Sequence, residues 1–557
     1  MSKGLIVTAL KEQVSRGVRS TLLAVFGAVC LVLLIACVNV TNLLLARSAD
    51  RRGELAVRAA LGAGRGRLIR QLLTESLLLA FVGGGLGLAV AQAGVRALVA
   101  LSPPGLPRVD KIQVDATAFA FTLLLTTIVG LVVGLAPAIG ASGDRLAARA
   151  HETSRRTTGG RQILRRSLVV AEVALALVLL VSAGLLWRSL TRLFAVRPGF
   201  ESSHVLTMQV QEAGAKYTRD DARLQFFERA LEAVRVVPGV KSAAFTSQLP
   251  LSGESETFGV GFDRGPKTSA DGDSTAYRYV VTPDYFKTLQ IPLIKGRLLD
   301  GRDRPGGAEA VLLSESFARS QFPDGDAIGK RLRIGPELGA DHPWDTVVGI
   351  VGDVKQESLT LDPPAAFYVA DGQWSWVDAV QSLVVKTDLD PALLAPSIER
   401  AIWSVDPHQP IVRVFTMTGL VDRSEAERHF ALTIFQVFAL VALTLAGIGL
   451  YSVLAANVSE RRREIGLRSA LGAPRERILT MVLGHGLRLT GLGVAIGLGG
   501  AVLASRAIEA LLFGTSKLDP LTYAAVVATM TAVSVVACWV PAWRASRVDP
   551  LIALRAE

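Results

Sequence analysis

The 557 residues are half hydrophobic, with a mean hydropathy of +0.39 and a pI near 9.8. That is too apolar for an ordinary soluble protein of this size, and several windows reach the roughly 18 apolar residues of a membrane-spanning helix. The excess of 60 Lys and Arg over 49 Asp and Glu is concentrated in short loops beside those windows, which points to a membrane surface and excludes nucleic acid as the partner.

In chain order, seven spans are predicted. They run from about Thr21 to Ala46, Leu72 to Leu101, Ala116 to Ile139, Leu168 to Trp187, Phe430 to Ala456, Ile478 to Phe513 and Leu521 to Val540. The second and sixth are glycine-rich, which suits close helix packing in lipid. Cys30, Cys37 and Cys538 all fall in apolar runs and read as small hydrophobes rather than disulfide partners. The six histidines are scattered without metal-ligand spacing, and no secretory signal with a cleavage site opens the chain.

Arginines decide the orientation. They crowd the loops after spans one (Arg47, Arg51, Arg52, Arg58, Arg65, Arg67, Arg70), three (Arg145 to Arg166) and five (Arg461 to Arg477), and the tail (Arg544, Arg547, Arg555). The alternate loops hold only Arg108 and Lys111, or Lys517. Alternating spans put every Arg-rich segment on one side, which the positive-inside rule makes cytoplasmic. The C-terminus is then inside, and residues 188–428 are outside. That region alternates strand-like runs ("HVLTMQV", "DTVVGIVGDV", "SLVVKT") with helical ones ("DARLQFFERALEAVRVV", "PALLAPSIERAIWSV"), so an α+β region of about 235 residues is expected. Residues 1–20 read as the tail of a preceding outer segment, and the chain is expected to lack one further span and outer domain.

The chain also repeats itself. "RRGELAVRAALGAGRGRL" from Arg51 returns as "RRREIGLRSALGAPRERI" from Arg461, with ten of eighteen positions identical. "APAIGAS" from Ala136 is echoed by "VPAWRAS" from Val540. Each half is thus a three-span unit with a basic segment after its first span, and the two units share one orientation, a parallel repeat. Within the segment Glu464 precedes Arg468, and Glu54 precedes Arg58, by one helical turn in the favourable order. Leu467 and Leu471, or Val57 and Leu61, make a narrow apolar face, and Gly472 with Pro474 ends the helix. The segment is read either as an interfacial helix with snorkelling arginines or as a docking surface for a cytoplasmic partner, and its duplication favours docking.

"ERRREIGLRSALGAPRERI" resembles the signature of FtsX-like permeases, the membrane subunits of MacB-type ABC transporters. "YFKTLQIPLIKGRLLDGRD", "FPDGDAIGKRLRI" and "TVVGIVGDVKQESL" resemble the family's periplasmic core domain, and "NLLLARSADRRGELAVRAALGA" with "RQLLTESLLLA" resembles its duplicated, acidobacterial-type form. The resemblance covers nearly the whole chain. It implies an α-helical polytopic membrane protein with seven transmembrane helices, two parallel three-helix repeats plus one anchoring helix, and an α+β extracytoplasmic domain of MacB periplasmic-core type. The implied segments are 1–19, a remnant of a preceding outer domain; 20–143, the first permease unit; 144–166, a basic cytoplasmic linker; 167–190, a transmembrane helix; 191–428, the outer core domain; and 429–557, the second permease unit.

The resemblance further implies a bacterial inner-membrane protein that couples ATP hydrolysis by a partner to movement of its outer domain. A cytoplasmic ABC-type ATPase, in two copies, would dock on Arg51, Arg52, Glu54, Arg58 and Leu61 and on Arg461, Arg462, Glu464, Arg468 and Leu471. The lipid bilayer and a periplasmic adaptor or substrate protein are the other implied partners. No catalysis, metal or cofactor is expected in this chain, and ATP would be held by the partner. The 557 residues contain no G-x-x-x-x-G-K-[ST] phosphate loop; "GDAIGKR" from Gly325 lacks both the spacing and the hydroxyl. Glu75, Glu172 and His485 are ionisable residues within or beside apolar runs, read either as functional groups or, with more weight, as side chains reaching headgroups near the Arg-rich ends. The competing function is a membrane-anchored sensor or scaffold whose outer domain binds a ligand without an ATP-driven cycle. A secondary transporter is weaker, since no midplane ionisable group or interrupted helix is evident.

Overall fold

In lipid, uninterrupted apolar runs satisfy their backbone groups only as helices, and the structure, a computed structural model, builds four long helices before the first strand among its described residues. It describes residues 10–50, 65–101, 114–142, 157–263, 274–304, 306–334, 344–374, 376–460, 464, 465, 467, 468, 471 and 474–546. The first helices are α1 (Leu10–Asp50), α2 (Arg65–Leu101), α3 (Ala116–Ser142) and α4 (Thr157–Phe194).

The chain then enters an α+β unit, residues 193–427. Strands β1 (Val205–Gln211) and β2 (Val240–Thr246) flank helix α5 (Asp220–Arg235); β10 (Val380–Thr387) and β11 (Ile411–Thr416) flank helix α8 (Pro391–Val405). These four strands lie in the order β11-β1-β10-β2, every neighbour antiparallel, a split β-α-β-β-α-β arrangement. Alternation along β1 and the 3.6-residue period of α5 place Leu206, Met208 and Val210 against Phe226, Phe227, Ala230 and Val234, with Ile398 and Ile402 of α8 completing the core. Asp390 caps α8 by accepting from the Ala392 N–H at 3.0 Å, with Pro391 at the first helical position.

Between β2 and β10 the chain inserts a second layer: β3 (Thr257–Phe262), β4 (Ser274–Val281), α6 (Tyr285–Leu289), β5 (Leu293–Gly296), β6 (Ala310–Ser314), α7 (Glu315–Gln321), β7 (Arg331–Ile334), β8 (Asp345–Val351) and β9 (Ala366–Ala370). The pairings β4-β3-β7-β8-β6-β9 return to β4, so the strands close on themselves around Val260, Val280, Val311, Leu313, Leu332 and Phe367. Closure removes the free edges that an open sheet would expose. Arg278 of β4 is 1% exposed; its guanidinium lies 5.0 to 5.4 Å from the Phe258, Trp374 and Trp376 rings and 3.0 Å from Asp378. All five runs singled out in the sequence fall on elements of the type expected: β1, β8, β10, α5 and α8.

After the short helix α9 (Met417–Ser424), the chain forms α10 (Ala426–Glu460), α11 (Arg475–Ala507) and α12 (Pro520–Ser546). With α1 to α4 these make up the other unit. Among the described residues, six helices are long and apolar enough to cross a membrane; the apolar stretch described for α3, Ala116–Leu131, is shorter. The sixth expected span ends earlier than read: α11 stops at Ala507, and a 3₁₀ turn follows at Glu509–Leu511, because Arg506 and Glu509 interrupt the apolar run. In the packing, α2 lies along α3 and α11 along α12. Helix α4 is the central one: 67% of its apolar window is buried, against none of α2's. Gly497 lets α11 approach it so closely that a Cβ there would sit 3.0 Å from the Ala174 backbone. Arg188 of α4 pairs with Asp519 at 2.5 Å, and Asp519 also caps α12 through the Thr522 N–H at 2.9 Å.

Candidate functional site

Of the ten residues assigned to docking, Arg51, Arg52, Glu54, Arg58, Leu61, Arg461 and Arg462 lie outside the described residues. Glu464, Arg468 and Leu471 are described, and residues 464, 465, 467 and 468 are helical. The expected i,i+4 pair is present: Arg468 Nη2 is 2.7 Å from Glu464 Oε1, both side chains about half exposed. Arg468 Nη1 also lies 2.9 Å from Met481 Sδ on α11. The structure adds a third apolar residue to the pair marked in the sequence. Ile465, 1% exposed, anchors the segment, whereas Leu467 and Leu471 point outward at 51% and 79% exposure. A short helix can bury only one narrow stripe, and the residue one position from the ion pair takes it.

The three intramembrane ionisable residues fall in different settings. Glu75 accepts from Gln71 Nε2 at 3.3 Å on α2. His485 lines a cavity of about 290 Å³. Glu172 does not reach a headgroup: it is 0% exposed, and Asn39 Nδ2 of α1 donates to its Oε1 at 2.5 Å. The same amide donates to the Leu445 carbonyl of α10 at 2.9 Å. A Cβ at Gly449 of α10 would lie 2.1 Å from Glu172 Oε2 and 2.8 Å from Asn39 Oδ1. Three helices therefore meet at one buried polar point, and any side chain at 449 would have to displace the Glu172 carboxyl and the Asn39 amide. A carboxylate there keeps its place by hydrogen bonding, since lipid offers no alternative partner.

Asn39 and Gly449 went unmarked in the sequence reading, although a signal existed. The repeat offset that aligns Arg51 with Arg461 also aligns position 39 with position 449. Equivalent positions of the two halves thus face each other, one supplying the amide and the other the space for it. Asn39 and Asn42 also stand out as polar residues within an apolar run.

The comparisons with known proteins agree with this architecture. The FtsX-like permease C-terminal model matches twice, over residues 26–144 and 436–550, and the MacB-like periplasmic core domain model matches residues 168–401. The chain is 28% identical over 305 residues to the uncharacterized ABC transporter permease YvrN of Bacillus subtilis, an alignment covering 50% of this chain and 70% of that protein. It is 24% identical over 285 residues to the macrolide export ATP-binding/permease protein MacB of Shigella sonnei, covering 50% of this chain and 43% of MacB, less than half the length of that relative. Among solved structures, the periplasmic region of MacB from Actinobacillus actinomycetemcomitans aligns at 14% identity with a TM-score of 0.27, over 40% of this chain and 91% of that one. With two FtsX-like permease regions flanking a MacB-like periplasmic core domain on a multi-pass helical scaffold, the chain belongs to the FtsX-like and MacB-like ABC transporter permeases.

Proposed function

We propose that this chain is the permease subunit of an ABC-type transport or mechanotransmission system in a bacterial inner membrane, with its C-terminus and basic helices cytoplasmic. A separate ATPase docks on those helices, and its cycle moves the periplasmic-core domain in export or another envelope process. The observation that carries the reading is the segment at 464–471. An ion-paired, half-exposed Glu464–Arg468 turn is anchored by Ile465 and turns Leu467 and Leu471 away from the protein. Outward leucines beside a fixed charge pair suit a protein contact, where an apolar centre is ringed by polar groups. The name of the Shigella relative joins ATP-binding and permease functions in one protein; these 557 residues hold no phosphate loop, so the proposal looks for ATP binding outside them. The contact of position 39 with position 449 supports a further element of the reading, that the two halves form the pseudo-dimer a one-unit permease would make from two copies.

The test is purification of the tagged chain from native membranes with identification of what accompanies it. An ABC-type ATPase should co-purify with the wild type. The double change Glu464→Arg with Arg468→Glu retains an i,i+4 pair but reverses both charges at the interface, so ATPase recovery should fall by roughly tenfold or more, as like-charge juxtaposition costs several kcal/mol. If no ATPase accompanies the wild type under conditions that preserve a comparable complex, the coupling role fails and the sensor or scaffold reading replaces it.

A further inference from the structure

The cavity of about 290 Å³ noted above lies where the end of α10 and the 464–468 segment meet the start of α11. Its walls divide by chemistry. Leu454, Val458 and Ile465 are apolar, while Asn457, His485 and Arg488 are polar or cationic, and no carboxylate is among its described lining residues. Arg468 rests on Met481, another lining residue, and adds a second guanidinium at the margin. Arg488 is exposed and makes no ion pair with a described residue. An arginine inside an apolar helix without a protein counter-charge calls for an anion.

The depth of the site narrows the choice of anion. Arg488 and Arg506 bracket 17 uncharged residues of α11. At 1.5 Å per residue these span about 26 Å, close to the roughly 30 Å hydrocarbon core. Arg488 therefore marks one membrane boundary, on the side taken above as cytoplasmic; that assignment of side rests on the proposed orientation, whereas the depth does not. A cation at headgroup level, in a cleft whose other walls include the apolar Leu454, Val458 and Ile465, matches a molecule that joins a phosphate to apolar chains.

We propose that this cleft binds the phosphodiester headgroup of an anionic phospholipid, with Arg488 as its principal partner and His485 and Asn457 as neighbouring polar contacts. The site belongs to the second repeat. At the positions equivalent to His485 and Arg488 the first repeat has Glu75 and Leu78, with its arginines Arg47 and Arg70 at the equivalents of Asn457 and Thr480. Arg488→Leu thus installs a residue that the same helix already accommodates in the other copy.

The experiment is native mass spectrometry of the full chain in detergent, without any ATPase, titrated with phosphatidylglycerol or phosphatidylcholine. A failure of the docking proposal leaves this measurement unaffected. The wild type should retain phosphatidylglycerol in preference to phosphatidylcholine. Arg488→Leu should weaken that binding by about fivefold, the effect of one basic residue near an anionic surface, and Arg488→Lys should largely restore it. Millimolar inorganic phosphate should not displace the lipid. Equal retention by wild type and Arg488→Leu, or no preference for the anionic lipid, overturns the proposal. Displacement by phosphate at that concentration overturns the lipid assignment in favour of a soluble anion. Loss of binding in Arg488→Lys as well as Arg488→Leu, with elution as a folded monomer unchanged, would show that shape rather than charge holds the lipid, and also overturns it.

Discussion

At the scale of single residues, two buried carboxylates set the testable behaviour. Glu172 is held by Asn39, and the pair occupies the space that a side chain at position 449 would take. Gly449→Val should push the Glu172 and Asn39 side chains apart and destabilise the helical unit by about 1–3 kcal/mol, the usual range for overpacking. A thermal-unfolding midpoint in detergent several degrees below wild type is the expected result; an unchanged midpoint would contradict the contact. In the α+β unit, Glu212 has a side chain only 1% exposed, with Arg223 Nε 3.4 Å away. Burial pushes its carboxyl up to about 8, with Arg223 pulling it down and Asp220 pushing it further up. An unfolded glutamate titrates near 4.3, so between that value and about 8 the folded state binds the extra proton and stability falls as pH rises. Glu212→Gln cannot titrate. Its unfolding midpoint should decline less than the wild type's between pH 5 and pH 8.5; parallel profiles would mean that Glu212 does not carry the slope.

At the scale of elements, the apolar runs and the repeated basic segment were legible because both follow from local rules: length of the uncharged window, and acid-before-base spacing on a helix. The Glu464–Arg468 pair was read from its spacing and is present at 2.7 Å. Which of that segment's apolar residues packs against the protein was not readable, for a physical reason. Leu467, Leu471 and Ile465 are all apolar, and which of them is buried depends on where α11 and α10 lie, not on the segment's own pattern. The same limit applies to α4. Its run is no more distinctive than its neighbours', yet it is the helix the others pack around, since lipid and protein interior are equally apolar and hydropathy cannot distinguish them. The strands of the α+β unit were readable one by one; the closure of β4 through β9 was not, because register between distant strands leaves no local trace.

At the scale of the whole molecule, the two FtsX-like regions in one chain carry a stoichiometric expectation. If the halves form the pseudo-dimer internally, the purified complex should contain one copy of this chain and two of the ATPase, and its mass should show that ratio by mass photometry. A complex with two copies of this chain would instead mean that each half pairs with a half from another molecule, and the meeting of positions 39 and 449 would not be the functional interface.

The membrane class, the sequence repeat, the family resemblance and the paired basic segments were determined by the sequence alone, because each depends on composition or on spacing within one stretch of chain. The buried Asn39–Glu172–Gly449 point, the outward turn of Leu467 and Leu471, and the cleft around Arg488 were decided only by tertiary structure. Each depends on helices far apart in sequence, and burial in a membrane protein is a property of which helices meet rather than of how apolar they are.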